Sequence, residues 1–351
     1  MGNVTAAGQV NARRLRRLTQ LDGSKAVAEA SKALRTVWTT GRKPDSVVFR
    51  IRMVQLPADA PERAPLVRLV LPRGIALRFY LLAVFEAQCR LGAGQTWVSD
   101  RPLDGAGSWS EFIAIDGAYD NKSKTYMPDT KQRRTTNQLS LRQIKSALDT
   151  LERLGPEHAL VTVPRAKNGG RRLYGEFSLM KETGKNNDQN PDVYTVPRNH
   201  RSSIETITVP ADFFLKGWIQ VLSPSEIATW LILQAHSQWA RDEHAKAGVY
   251  LYGKAREEDF GLRRDAWEDG CQRLCEFGLI RHARPGSLDE VLKRPGHEQL
   301  VRFSAKEDRE RYEPYRWQVT DGGLAKNAVK TCLKELTLRQ KSFDAKQRTS
   351  E

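Results

Sequence analysis

Gln138-Leu139-Ser140-Leu141-Arg142-Gln143-Ile144-Lys145-Ser146-Ala147-Leu148-Asp149-Thr150-Leu151-Glu152-Arg153-Leu154-Gly155 is the stretch on which the fold turns. Leu141, Ile144, Leu148, Leu151 and Leu154 recur at helical spacing on one stripe, while Arg142, Gln143, Lys145 and Ser146 fall on the other. That pattern predicts an amphipathic helix over Gln138 to Leu154, stopped by a glycine. The pattern then returns. Leu139, Ile144, Ala147, Leu148, Leu151, Leu154 and Gly155 align with Leu262, Trp267, Gly270, Cys271, Leu274, Phe277 and Gly278 at a constant shift of 123 residues.

Upstream a second alignment appears. Leu71-Pro72-Arg73-Gly74-Ile75-Ala76, followed by Phe79, Tyr80, Leu81 and Leu82, matches Ser223-Pro224-Ser225-Glu226-Ile227-Ala228, followed by Leu231, Ile232 and Leu233, at a shift of 152. The shifts differ by 29, so the first copy holds about that much extra chain between its helices. Ile75 to Cys89 reads as a buried helix stopped by Gly92 and Gly94. Ser223-Pro224 reads as the cap and first turn of a helix reaching about Arg241.

Each repeated pair of helices runs into β-rich chain. Leu160 to Pro164 and Arg171 to Met180 predict a hairpin with Asn168-Gly169-Gly170 at its tip. In the second copy Arg256 to Phe260 and Arg263 to Phe277 form a helix, turn, helix pair around Gly261. Leu279 to Arg284 and Leu300 to Phe303 are the expected wing strands, with Arg284-Pro285-Gly286 as a turn and Tyr315 to Val319 as a third strand. Ser46 to Val54 alternates as a strand, and so does the shorter Ile204 to Val209.

The expected class is therefore α+β, mainly helical: two winged helix-turn-helix domains in tandem, with a basic N-terminal arm and a C-terminal helix. Residues 1–43 read as the flexible arm, containing one helix from Lys25 to Trp38, and 44–181 as the first winged-helix domain, with a basic insertion at 95–137 that reads as a long loop with short strands. Residues 182–203, rich in Asn, Asp and Pro, read as a linker. Residues 204–320 are the second domain, and 321–351 the basic C-terminal helix and tail.

Charge narrows the function. The 351 residues carry a formal net charge of +15, and the excess clusters. Residues 1–43 hold nine Lys or Arg against two acids, and residues 121–145 hold seven against Asp129 alone. Clustered positive charge is what a polyanion footprint requires. With no apolar run of about 18 residues and no apolar N-terminal segment, a cytoplasmic protein away from membranes is expected.

In a helix-turn-helix unit the last helix leaves one polar face free for a major groove. In the first copy that face carries Ser140, Arg142, Gln143, Lys145 and Ser146. The residues expected on double-stranded DNA are Arg13, Arg14, Arg16 and Arg17 in the arm, Lys131, Arg133 and Arg134 in the insertion, Ser140, Arg142, Gln143 and Lys145 on the helix, and Lys167, Arg171 and Arg172 in the wing. The second copy's helix carries Asp265, Glu268, Asp269 and Glu276 beside Arg263, Arg264 and Arg273. Two roles stay open for it: touching DNA through Arg256, Arg263 and Arg264 alone, or serving as a partner or dimer surface.

This arrangement resembles the plasmid replication initiators built of two winged-helix domains. The resemblance covers roughly residues 65–320. It rests on the repeated helices and on Val209-Pro210-Ala211-Asp212-Phe213-Phe214 leading to Gly217-Trp218 and Leu222-Ser223-Pro224. It implies binding to short repeated sites at an origin, frequent repression of the protein's own promoter, and a homodimer or host replication proteins as further partners. A winged-helix transcriptional regulator shares the same features.

Catalysis finds little footing. The six histidines, at 158, 200, 236, 244, 282 and 297, include no pair separated by one residue, as a relaxase needs. No phosphate-binding or dinucleotide-binding glycine motif occurs. Cys271 and Cys275 with His282 and His297 could be drawn as a zinc site, but the alignment with Leu148 makes Cys271 a core residue, so no metal and no cofactor is expected. Cys89 and Cys332 stand apart, which gives no disulfide framework. Asp116, Asp120 and Lys122 leave a metal-dependent nuclease as the alternative from another class. A non-enzymatic DNA-binding protein remains the first reading.

Overall fold

Both long periodic stretches are helices, and each sits where the repeat puts it. The computed structural model describes residues 6–56, 60, 62–70, 74–97, 99–115, 118–120, 125–127, 133–155, 158–183, 192–198, 205–249, 251, 253–283, 316–320 and 322–348. In chain order the helices are α1 (Ala6–Gly23), α2 (Ala26–Thr40), α3 (Pro65–Arg68), α4 (Ala76–Arg90), α5 (Arg133–Glu152), α6 (Asp212–Leu215), α7 (Trp218–Val221), α8 (Pro224–Trp239), α9 (Arg241–Ala247), α10 (Gly253–Asp259), α11 (Arg264–Glu276) and α12 (Ala328–Arg348). The strands are β1 (Ser46–Arg50), β2 (Ala118–Asp120), β3 (Thr125–Met127), β4 (Val161–Thr162), β5 (Ser178–Leu179), β6 (Thr206–Pro210), β7 (Ile280–His282) and β8 (Trp317–Val319). The chain is mainly helical, and its strands pair antiparallel in small sheets. No helix among the described residues is long and apolar enough to cross a membrane.

A strand, a short helix, two longer helices and a ribbon occur in that order twice, with β2 and β3 added in the first run and α7, α9 and α10 in the second. β1, α3, α4, α5 and the β4–β5 ribbon are followed by β6, α6, α7, α8, α10, α11 and the β7–β8 ribbon. Both α5 and α11 are followed by glycines with positive φ, Gly155 at 100° and Gly278 at 72°. Only a residue without Cβ turns the chain there at no steric cost, which is why the repeat keeps both. The helices pack as the stripes require: Ile144, Ala147, Leu148 and Leu151 of α5 and Trp267, Gly270, Cys271 and Leu274 of α11 are buried. Around the first copy, Phe79, Trp97, Trp109, Phe112 and Phe177 form an aromatic cluster with ring centroids 5.3 to 5.7 Å apart.

The two copies share one core. β1 pairs with β6, with Val48 opposite Thr208. Gln220 between α6 and α8 donates to the Phe112 carbonyl and accepts from the Ala114 amide, at 2.8 and 3.1 Å. Buried amides of this kind stay only where both ends are satisfied.

Several expectations are corrected. The arm's expected helix over Lys25 to Trp38 is α2, but a further helix, α1, precedes it and both are docked, because Leu18, Leu21, Val27, Ala30 and Leu34 form an apolar stripe that the rest of the chain buries. Asn11 on α1 donates to Leu336 and Gln340 of α12, both at 3.0 Å. The insertion holds loop and the short strands β2 and β3 as expected, but Trp97, Trp109, Phe112 and Ile113 of its first part are buried in the core. The ends of the expected linker are packed too: buried Glu182 receives hydrogen bonds from the Arg50 amide and guanidinium, and residues 193–195 bridge Met180 and Thr96. In the second copy β7 pairs directly with β8, the strand expected third. Leu300 to Phe303 and the Arg284-Pro285-Gly286 turn lie outside the described residues.

Candidate nucleic-acid interface

The exposed side of α5 is set by subtraction from its buried stripe. Arg142 and Ser146 face solvent, and Gln143 and Lys145 are half-buried at its edges. Arg142, Gln143, Ser146 and Thr150 line a cleft of about 400 Å³ against Gly74 and Ile75 at the start of α4.

The hairpin is braced against this helix. β4 pairs with β5, and Arg165 opposite Arg172 extends the ribbon to a tip at Lys167–Gly169. Arg172 reaches back to Asp149, at 3.1 Å, and to Glu152. Glu152 also accepts from the Val163 amide at 2.8 Å, and the Tyr174 hydroxyl donates to Asp149 at 2.9 Å. Burial, followed by the bond to Asp149, pushes the Tyr174 phenol above its usual range, so it stays a donor at any ordinary pH. The Lys145 ammonium lies 5.7 Å from the Tyr174 ring centroid. Helix face and hairpin are thus fixed relative to each other by charge-assisted bonds.

The expected site residues divide accordingly. Arg142, Gln143 and Lys145 stand on the open side and edges of α5, and Lys167 and Arg171 are exposed near the tip of the hairpin braced against it. Arg172 is corrected from a DNA contact to a brace, because two carboxylates hold it. Ser140 is corrected as well: it is 5% exposed, on the stripe of Ile144, Ala147 and Leu151. Arg133 and Arg134 belong to the first turn of α5, but their side chains lie outside the described residues, as does Lys131.

In the arm, Arg13, Arg16 and Arg17 are exposed. Arg14 is instead turned inward onto Glu226, with one of two guanidinium bonds at 2.7 Å, and lies over the Phe277 ring. Although burial pulls the Arg14 pKa down, Glu226 holds it above the ordinary value, so the guanidinium is charged and committed. Glu226 meanwhile completes a capping box with Ser223 at the start of α8. Near it Arg78 on α4 is buried with no acid in contact among the described residues: its Nη2 donates to the Leu222 carbonyl at 3.4 Å, its Nε and Nη1 have no partner among them, and burial, then Arg17, pushes it down to about 9.

In the second copy, Arg256 is corrected to a structural role. It is 6% exposed and its Nε donates to the Leu262 carbonyl at 3.0 Å, closing the turn between α10 and α11. Arg263 and Arg264 are exposed, but Arg264 is paired with Glu268 at 2.7 Å, and Asp265, Glu268 and Asp269 share the same open face. Cys271 is buried in the core and burial pushes its thiol up. Among the described residues no group of three or more His, Cys, Asp or Glu could hold a metal ion. Asp116 lies outside the described residues, and Asp120 ends β2 without a described side chain.

Sequence reasoning missed Tyr174, Asp149 and Glu152 as the hairpin's brace. The signal was present, since Asp149 and Glu152 stand three residues apart on one helix face beside a hairpin carrying Arg172. No protein-family model, no curated protein and no solved structure matches this chain.

Proposed function

We propose that this chain is a non-enzymatic, sequence-specific double-stranded DNA-binding protein, built of two winged-helix units in tandem and acting as a plasmid or phage replication initiator. One observation carries the reading: a helix face bearing Arg142, Gln143, Lys145 and Ser146 is held rigidly beside a hairpin bearing Lys167 and Arg171. The helix suits a major groove, and the hairpin tip suits the adjoining backbone or minor groove. The order of elements in the second copy supports the same architecture. There α8, Val249 bridged to Trp317, α10, α11 and the β7–β8 ribbon follow the winged-helix sequence of parts.

In this mechanism Lys167 and Arg171 position the duplex through phosphates, and Arg142 and Gln143 read base edges. Phosphate contacts from Lys145, Lys167 and Arg171 give a slope of log affinity against log salt of magnitude at least about 2.7. The experiment is a titration of the purified protein against random duplex and against fragments of its own replicon at several salt concentrations. Selective retention of short repeated sites with that slope is the expected result. Repeats confined to the protein's own promoter would favour the transcriptional regulator, and salt-insensitive or sequence-blind binding would refute both.

A further inference from the structure

The hairpin tip is one end of a longer row of cations. β4 runs toward the tip and β5 away from it. Residues 192–198 run antiparallel to β5, with Val193 opposite Met180, and so head back toward the tip side. Residues 94–97 run antiparallel to that segment in turn, with Thr96 opposite Thr195 and the Gly94 amide donating to Val196 at 2.9 Å. Gly92, Gly94 and Arg198 therefore lie on the same side of the sheet as Lys167 and Arg171.

Two further facts define this edge. A Cβ on Gly94 would stand 3.5 Å from the Arg198 guanidinium, and one on Gly92 would stand 3.5 Å from that of Arg42, so both arginines lie across the glycine turn. Arg42 is fixed through its backbone, whose amide donates to the Cys89 carbonyl at 2.7 Å. Beside it opens a cleft of about 500 Å³ lined by Thr40, Gly41, Arg42, Arg90 and Arg101. Arg90 and Arg101 are spent on Glu86, with Arg90 also held by Asp100. Arg42, Lys43, Arg165, Lys167, Arg171 and Arg198 are all exposed and pair with no acid among the described residues. The inner cations of this edge are thus paired and the outer ones are not, which is the arrangement of a surface kept available for an external polyanion.

We infer that Arg42, Lys43 and Arg198 extend the hairpin's contact into a phosphate-binding track for the backbone of duplex DNA. The track crosses the four extended segments, three spacings of about 4.8 Å or roughly 14 Å. One DNA strand presents about four phosphates over that distance. The inference rests on the reading of the chain as a DNA-binding protein, and adds residues that neither the helix face nor the hairpin supplies.

The test is the salt dependence of random-duplex binding by the full chain and by Arg42→Ala with Arg198→Ala, with Lys330→Ala on the exposed face of α12 as the control for loss of one surface charge. The double variant should lower the magnitude of the salt slope by about 1.8 and weaken binding on the order of tenfold or more at 0.1 M salt. The ratio of specific to random affinity should stay unchanged, because phosphate contacts carry no sequence information. Lys330→Ala should do neither. A double variant with unchanged slope and affinity overturns the track and leaves the DNA-binding reading standing, whereas a parent chain that binds no duplex overturns both. A loss in Lys330→Ala half as large as that in the double variant, or larger, would reduce the effect to net charge and also overturn the track. Arg42→Glu with Arg198→Glu at matched thermal stability gives the same comparison with a larger signal.

Discussion

α5 and α11 occupy equivalent places in the repeat, end at equivalent glycines and bury equivalent stripes, yet they present opposite charge to solvent. Arg142 and Lys145 stand on one, and Asp265, Glu268 and Asp269 on the other. The buried stripe fixes the place of each helix, and the open face is left to vary. The difference teaches that the repeat is evidence about packing, and that a role in recognition has to be argued for each face separately. It also shows where the fold's cohesion lies: the second copy holds the ends of the chain, through Arg14 on Glu226, Arg273 on Asn11 and Arg339 on Glu276.

The contrast can be broken at several points. The largest effect is expected at Glu226, which caps α8 and pairs Arg14, whereas α4 begins at Ile75 without a side-chain cap. Glu226→Ala leaves a partly buried arginine without its acid and should cost about 3–5 kcal/mol in urea unfolding. A cost under about 1 kcal/mol would show that α1 does not depend on that pair. Next comes Gly270, where α11 approaches α8 so closely that a Cβ would stand 2.5 Å from the Thr229 hydroxyl. Its counterpart in the first copy is Ala147. Gly270→Val should therefore destabilise by about 1–3 kcal/mol through overpacking, while Ala147→Gly should cost about 1 kcal/mol through helix propensity.

Acid should reveal a further asymmetry. His236 on α8 aligns with Val84 on α4, and burial, then His244, pushes the His236 pKa from 6.5 down to about 4. The folded state holds this ring neutral while the unfolded chain takes up the proton, so its stability is complete above about pH 6.5 and is lost as pH falls toward 4. The loss is roughly 1–3 kcal/mol after allowing for partial exposure. Stability curves between pH 7 and 4 should flatten in His236→Val, and an unchanged curve would place the acid sensitivity elsewhere. The smallest effect belongs to Arg78. Unlike Arg14 it has no acid to lose, so Arg78→Met should fall within about 1 kcal/mol of the parent or gain stability, because the buried charge is removed.

The four long helices of the repeat, α4, α5, α8 and α11, were legible because helical periodicity is local and was written twice. The β4–β5 hairpin was legible from its turn residues. The pairing of β1 with β6 was not, since strands so far apart in sequence carry no local mark of their partner. The docking of α1 was hidden for the same reason: the value of Arg14 lies in Glu226, 212 residues on. Ser140 and Arg172 were within reach of closer reading. Ser140 extends the stripe of Ile144, Ala147 and Leu151, and Arg172 faces two carboxylates at helical spacing. The cations Arg42 and Arg198 were beyond it, because only the strand directions bring them to the hairpin's side.

The central proposal is that the first copy is the stronger DNA reader. Its most direct test compares Arg142→Ala with Lys145→Ala against Arg263→Ala with Arg264→Ala, in titrations of a selected specific site and of random duplex at fixed salt. The account predicts that the first pair loses about 1–3 kcal/mol of specific binding and part of the discrimination over random duplex, while the second pair changes neither. A loss of discrimination in the second pair, with the first unchanged, would contradict it.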